Sequence, residues 1–82
     1  MTNALEIRHR LEAFIYEYFG IHETEITLQS RFFRDFKIDS LDFVEVIMFL
    51  EEDFGIQISD DDAKNIVVVE DAISCVAQKL RI

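Results

Sequence analysis

The positions of glycine and proline constrain the fold of this chain more than any other feature of its sequence. The 82 residues contain no proline, and the only two glycines, Gly20 and Gly55, each follow an apolar segment with helical spacing. Glycine just after such a segment is a common C-cap, because it adopts the left-handed conformation without a steric penalty. The pattern therefore predicts two uninterrupted helices that end at these glycines.

Four segments have the spacing of helices. The first covers residues from about 4 to 19, and its apolar side holds Ile7, Leu11, Phe14, Ile15 and Tyr18. The second begins at 39 or 40 and ends near 55. A short third helix starts after Ser59, a plausible N-cap followed by acids that suit the helix dipole, and a fourth covers about 69–80. The sequence predicts an all-α fold and a single domain, residues 1–82.

The segment between the first two helices mixes β-branched and polar residues without a sustained period. We expect a long ordered loop here, with a short turn near residues 30–34. Four apolar side chains are expected to pin this loop to the core: Ile26, Leu28, Phe32 and Phe36.

Acidic residues are concentrated in the C-terminal part of the chain. Residues 1–34 carry a net charge of −1 and residues 35–82 a net charge of −8, out of a formal total of −9. Nucleic acid is a poor partner for such a surface, since phosphate binding depends on Lys and Arg. A basic protein surface is the better complement. A chain this short also has little room for an elaborate active site.

Two further features indicate a soluble, cytoplasmic protein. The N-terminus does not resemble a signal peptide, and no apolar run is long enough to span a bilayer. The single cysteine, Cys75, cannot form an internal disulfide, which fits a reducing compartment. Cys75 lies between Ile73 and Val76, and we expect it to be a small core residue.

The second helix has two apolar faces. At about 100° per residue, the predicted core face holds Phe43, Val46, Ile47, Leu50 and Phe54. The opposite side holds Leu41, Val44 and Met48, flanked by Glu45, Glu51 and Glu52. A helix that is apolar all round can simply be buried. Because so small a domain has difficulty burying both faces, we favour a docking surface for a protein partner.

Ser40 lies where the second helix begins. From position alone, Asp39 and Ser40 are most economically an N-cap and first-turn pair. The spacing of His9 and His22 gives Ser40 no base, so the sequence predicts no catalytic serine. An exposed hydroxyl at the positive end of a helix dipole, beside unpaired N–H groups, would suit a phosphate ester.

The segment DSLDFVEVIMFLEEDFGIQISDDDA, residues 39–63, resembles the acyl carrier protein family, whose second helix opens with Asp-Ser-Leu. The resemblance extends over nearly the whole chain. The segments FGI, EIT, SRFFRDF and VVVEDAI stand at the family's spacing without a gap. It implies an acyl-carrier-like up-down four-helix bundle with a short third helix and a long loop between helices one and two.

The resemblance also implies a function. Ser40 would carry 4′-phosphopantetheine, transferred from coenzyme A by a phosphopantetheinyl transferase (a holo-acyl-carrier-protein synthase). The prosthetic thiol, rather than Cys75, would hold acyl intermediates as thioesters in fatty-acid or related lipid or polyketide biosynthesis. The protein would then be a substrate of other enzymes and not an enzyme, with no catalytic residue and no metal.

In the family, the second helix is gripped by basic patches on acyl synthases and transferases. Carried over position by position, the partner-binding set is Asp39, Leu41, Asp42, Val44, Glu45, Met48, Glu51 and Glu52. A monomer is expected, because this face must stay free.

Three departures from the family pattern stand out. Phe36-Lys37-Ile38 replaces a leucine, a glycine and a small residue. Val67, Val68 and Val69 stand where a threonine commonly caps the last helix, and losing such a cap costs about 1 kcal/mol, so this helix start is expected to be loose. Bulky side chains, namely Phe33, Phe43 and Phe49, replace smaller ones, which predicts a partly filled acyl cavity.

Other functions remain open from the sequence. A peptidyl or D-alanyl carrier would share the same scaffold. An unmodified acidic interaction module would use only the outer stripe of the second helix. A calcium site at Asp60, Asp61 and Asp62 is disfavoured, because the alternating ligands, mid-loop glycine and terminal glutamate of the common calcium loop are missing.

Overall fold

Four α-helices form the protein in the computed structural model, which describes residues 2–82. They are α1 (Ala4–Phe19), α2 (Ser40–Phe54), α3 (Asp60–Lys64) and α4 (Val69–Leu80). A short 3-10 helix, Glu23–Glu25, lies in the loop between α1 and α2. Over residues 2–82 there is no β-strand, only a single antiparallel bridge between Arg31 and Val68. The predicted all-α fold and the predicted helix bounds are confirmed.

The caps explain why the helices end where the sequence predicted. Gly20 and Gly55 both adopt the left-handed conformation, with φ values of 70° and 66°, and donate to carbonyls four residues earlier. At the start of α3, Ser59 Oγ accepts a hydrogen bond of 3.0 Å from the Asp62 N–H. Each of these caps depends only on residues that are close together in the chain, so the sequence predicts it.

A single hydrophobic core joins the helices to the long loop, and α1 packs against α4. Its buried apolar residues are Ile7, Leu11, Ile15, Ile26, Phe32, Ile38, Val46, Leu50, Ile58, Ile66, Val69, Ala72, Ile73 and Val76. The loop is pinned as predicted, with Ile26 and Phe32 buried and Leu28 and Phe36 half-buried. The prediction for Tyr18 was wrong. Tyr18 is 60% exposed, and its ring stacks on that of Phe14 with ring centres 4.5 Å apart.

The start of α4 is held by hydrogen bonds instead of a side-chain cap at its N-cap residue, Val68. Asp71 Oδ2 accepts from the N–H groups of Val67 and Val68, both at 3.0 Å. The N–H of Val69 donates to the Ser30 carbonyl at 3.0 Å, and that of Glu70 to the Leu28 carbonyl at 2.9 Å. Asp71 and the long loop thus supply acceptors where the threonine cap is missing. The expected looseness of this helix start stays a prediction.

Two ion pairs connect successive helices. Arg10 of α1 meets Asp53 of α2 at 2.6 Å, and its guanidinium lies over the ring of Phe54, 4.7 Å from the ring centre. Lys79 of α4 meets Asp62 of α3 at 2.7 Å. Within residues 2–82, every helix falls short of the length and apolar composition that a membrane span requires.

Candidate functional site

Asp39, and not Ser40, caps α2. Asp39 Oδ1 accepts a hydrogen bond of 2.8 Å from the Asp42 N–H, and Asp42 Oδ2 accepts one of 3.2 Å from the Asp39 N–H, which makes a reciprocal capping box. Ser40 is the first residue of the helix and is exposed. No residue between 2 and 82 hydrogen-bonds to its hydroxyl. The hydroxyl is therefore free to react.

The helix start also leaves N–H groups available beside Ser40. The first N–H groups of an α-helix have no acceptor within the helix. At α2 the capping box satisfies the N–H of Asp42, and the Phe43 N–H donates to the Asp39 carbonyl. The N–H groups of Ser40 and Leu41 have no such partner among residues 2–82. Together with the helix dipole, they favour an anionic group at this end of α2.

The chain approaches Ser40 through a strained residue. Lys37 has a φ of 57°, in the left-handed region. That conformation costs a residue with a Cβ roughly 1–2 kcal/mol, and glycine is the residue that adopts it routinely. Lys37 therefore replaces the family's glycine at a position where the backbone adopts the left-handed conformation. The next residue, Ile38, is buried in the core and accommodates its extra bulk there.

An apolar cleft of about 410 Å³ opens beside Ser40. It lies between the start of α2, the end of the long loop and the segment from α3 to α4. The residues that line it are Phe33, Ser40, Phe43, Val44, Asp60, Ala63, Lys64, Ile66 and Val67. The cleft could hold an apolar group tethered near Ser40, since burying apolar surface there would be favourable.

Aromatic rings form the inner wall of this cleft. Phe43 packs on the buried Phe32, with ring centres 5.6 Å apart, and on the exposed Phe33, with ring centres 5.1 Å apart. Phe32 in turn packs on Phe36 at 5.8 Å. Phe49 does not belong to this wall, because it stacks on Phe14 of α1 at 4.4 Å. Of the three bulky residues that the sequence singled out, only Phe33 and Phe43 lie beside Ser40.

The two faces of α2 differ as the angular pattern predicted. Val46 and Leu50 are fully buried, while Phe43, Ile47 and Phe54 are half-buried. On the opposite side Leu41 is 78% exposed, Val44 50% and Met48 44%. The alternative of an α2 buried on both faces is therefore wrong. That the exposed stripe of Leu41, Val44 and Met48 binds a partner stays a prediction.

The acidic residues around this stripe fall into two groups. Asp39, Glu45 and Glu52 are exposed. Glu51 is half-buried, and its Oε2 accepts a hydrogen bond of 2.8 Å from the Ile58 N–H in the segment that follows α2. Asp42 is also half-buried and takes part in the capping box. Glu51 and Asp42 thus have structural roles that the sequence did not reveal.

The two histidines and the cysteine do not line the cleft beside Ser40. His9 and His22 line a separate cleft of about 180 Å³ beside α1, and His22 Nδ1 is 3.1 Å from Thr24 Oγ1. Cys75 is half-buried against the core, as expected. Burial raises the pKa of the Cys75 thiol, and the nearby Asp62 charge adds to that rise. A thiol with a raised pKa is a weak nucleophile near neutral pH.

The acids of α3 do not make a metal site. Hydrogen bonds from Lys79 and Ser59 lower the pKa of Asp62, and the same Lys79 contact raises the pKa of Lys79. Across residues 2–82, no group of three or more His, Cys, Asp or Glu side chains is arranged to hold a metal ion. Asp62 is thus an ion-pair partner that ties α3 to α4.

Sequence reasoning missed the contribution of the segment between α3 and α4 to the site. Ala63, Ile66 and Val67 complete the cleft beside Ser40. Val67 is 49% exposed even though it is apolar and stands in a run of valines. The sequence indicated only a missing cap there. Which wall of the cleft Val67 joins depends on how the loop and α4 pack, and no local pattern encodes that packing.

Two comparisons with known proteins bear on the family and the fold of this chain. A family model described as a phosphopantetheine attachment site matches residues 4–76. The fold is similar to that in the crystal structure of an acyl carrier protein from Thermotoga maritima, with a TM-score of 0.82. The two chains are 24% identical, and the match covers 95% of this chain and 91% of the other. At that identity the likeness is one of fold, and it confirms the predicted bundle.

Proposed function

The chain belongs to the family of phosphopantetheine attachment sites, and on this premise we propose that Ser40 carries 4′-phosphopantetheine as a phosphodiester. As a carrier domain, the chain is a substrate of other enzymes and not itself an enzyme. When bound, the prosthetic group supplies a thiol on a flexible arm, which would hold an acyl group as a thioester. Residues 2–82 share one core, and we propose that they act as a single carrier domain and as a monomer.

The availability of the Ser40 hydroxyl carries this proposal. Because Asp39 provides the cap, modification of Ser40 would not remove a hydrogen bond that holds the helix. In the transfer, Ser40 Oγ would form a bond to the phosphorus that bears the pantetheine, and the pyrophosphate bond of coenzyme A would break. Adenosine 3′,5′-diphosphate would leave, and a base of the transferase would take the hydroxyl proton. The free N–H groups at the helix start would then face the phosphodiester.

The apolar cleft favours an acyl cargo. Most of its lining side chains are apolar, including Phe33, Phe43, Ile66 and Val67. Such a surface gives little to a polar aminoacyl or peptidyl group, whose buried polar atoms would lack partners. We therefore favour acyl transport in fatty-acid or related lipid or polyketide biosynthesis over the peptidyl or D-alanyl alternative. We place this work in the cytoplasm, where a free thiol stays reduced.

The exposed stripe of α2 is the proposed docking surface for a phosphopantetheinyl transferase and for acyl synthases and transferases. Leu41, Val44 and Met48 would supply apolar contact, and Glu45 and Glu52 would meet basic patches on these partners. Asp39, Asp42 and Glu51 complete the proposed set, although Asp42 and Glu51 would act mainly by keeping the surface in shape. Charge steering of this kind speeds association and weakens with salt.

The attachment is tested by incubating the protein with coenzyme A and a phosphopantetheinyl transferase and measuring the intact mass. We expect the mass to rise by one phosphopantetheine. Ser40→Ala should show no gain, whereas Ser74→Ala, which changes an exposed serine in α4, should be loaded like the unmodified sequence. No gain with any transferase tried would favour the unmodified interaction module. A gain that persists in Ser40→Ala would refute the assignment of the site.

The docking surface is tested by charge reversal. Glu45→Lys should slow loading by the transferase at low salt, and the difference from wild type should shrink as salt is added. Glu17→Lys, which reverses an exposed charge on α1, is the matched control and should change loading little. Equal effects of the two substitutions would mean that total charge, and not this surface, governs docking.

A further inference from the structure

We propose that Phe43 limits how much of an acyl cargo this carrier can bury, so that short chains are sheltered and the tails of long chains stay in solvent. The inference rests on the attachment at Ser40 proposed above and adds a size limit to it. It follows from the position of Phe43 between the cleft and the core.

The cleft beside Ser40 is the nearest apolar shelter for a tethered chain. Ser40 itself lines the cleft, together with the apolar residues Ile66 and Val67. An acyl group brought back to Ser40 by the arm would gain free energy by covering Val44 and Val67, which are exposed. The first carbons of any acyl chain are therefore expected to lie here.

Phe43 closes the way from this cleft to the interior. Its ring lines the cleft on one side and packs on the fully buried Phe32 on the other. Phe33 covers it from outside, with ring centres 5.1 Å apart. To enter the core, a longer chain would have to displace Phe43 and break both aromatic contacts. Close-packed interiors resist such insertion.

The amount of acyl chain that the protein can bury therefore has an upper limit. A chain short enough for the cleft is covered, and each added carbon stabilises the protein until the cleft is full. Further carbons find no room left in the cleft and extend into water, where partner enzymes can reach them. Phe43 would thereby act as a specificity residue for cargo length.

The chain offers a matched pair of variants for the test. Phe43→Leu opens the wall while keeping an apolar side chain. Phe49→Leu makes the same change on the same helix at another half-buried phenylalanine, one that stacks on Phe14 away from the cleft. Wild type and both variants would be loaded by the transferase from acetyl-, hexanoyl-, decanoyl- and hexadecanoyl-coenzyme A, with each product checked by intact mass.

Two independent measurements report how much of the acyl chain the protein buries. The first is Tm, which should rise by at least about 5 °C from acetyl to hexanoyl in wild type, even where the open cleft covers the chain only in part, and by less than about 1 °C from decanoyl to hexadecanoyl. The second is retention on a native hydrophobic column, which should increase sharply for the two longest chains. In Phe43→Leu, Tm should keep rising to hexadecanoyl and retention should fall relative to wild type. Phe49→Leu should follow the wild-type pattern from its own baseline.

Each outcome decides between the possibilities. A wild-type Tm that climbs steadily through hexadecanoyl, with flat retention, would overturn the size limit while leaving the attachment intact. Identical behaviour of Phe43→Leu and Phe49→Leu would show that Phe43 is not the wall. Should Phe43→Leu fail to fold, the wild-type chain-length series alone still decides whether a limit exists. Failure to load any form would refute the attachment at Ser40 and this inference with it.

Discussion

Replacing Lys37 by glycine should stabilise this protein. Lys37 has a φ of 57° and lies three residues before Ser40. A residue with a Cβ pays roughly 1–2 kcal/mol for this conformation. Glycine would remove that cost, but it loses about 0.5–1 kcal/mol more than alanine through its greater freedom in the unfolded chain. The net expectation for Lys37→Gly is a gain of about 0.5–1 kcal/mol in the free energy of unfolding.

The gain is large enough to measure in a domain of this size. One kcal/mol shifts Tm by roughly 4–8 °C in domains of 60–100 residues, so Lys37→Gly should raise Tm by about 2–8 °C. Urea denaturation gives the free energy directly, and the slope with denaturant should stay unchanged because the exposed surface is the same.

Lys37→Ala is the control that separates backbone strain from charge. It removes the same positive charge from a chain of net charge −9 but keeps the Cβ and the strain. Loss of a cation from so acidic a protein should be slightly destabilising. We expect Lys37→Gly to be more stable than both wild type and Lys37→Ala. If the glycine and alanine variants unfold at the same temperature, strain at Lys37 does not contribute.

Three further predictions concern side chains with roles that the sequence did not reveal. Glu51→Ala should lower the free energy of unfolding by about 1 kcal/mol, because the Ile58 N–H after α2 loses its acceptor. The control is Glu52→Ala at the exposed neighbouring position, which should change that free energy by less than about 0.5 kcal/mol in urea titrations. Asp71→Ala should cost about 1–2 kcal/mol in the same assay, because two N–H groups at the start of α4 lose their acceptor; an unchanged urea midpoint would show that the loop carbonyls suffice. The hydrogen bond from Lys79 lowers the folded-state pKa of Asp62 from the ordinary 3.8, so the stability from this pair is present above pH 3.8 and is lost as pH falls through the lowered pKa. Asp62→Asn should therefore make the urea midpoint less dependent on pH in acid. The change should be small, because the pair is solvent-exposed.

The helices and the exposed stripe could be predicted from the sequence because their determinants are local. Gly20 and Gly55 end helices through their own backbone freedom, and Ser59 caps through a side chain three residues from its donor. The stripe of Leu41, Val44 and Met48 follows from helical periodicity within a single segment. In each case the physical cause and its effect lie within a few residues of each other.

The features that the sequence did not reveal all depend on distant partners. The sequence predicts an exposed surface acid at Glu51, whereas in the structure Glu51 accepts a hydrogen bond from the Ile58 N–H. The cleft beside Ser40 needs Val67 from a segment 27 residues further along the chain. Such relations are set by packing, which periodicity does not specify.

The hydrogen bonds that join the start of α4 to the long loop affect how the chain folds. The carbonyls of Leu28 and Ser30 accept from residues about forty positions later, so the first turn of α4 closes a large loop when it forms. We expect the amide protons of Val69 and Glu70 to exchange with solvent in one cooperative opening together with that of Phe32, which donates to the Val67 carbonyl. A fragment that lacks residues 20–36 would then begin its last helix about one turn later.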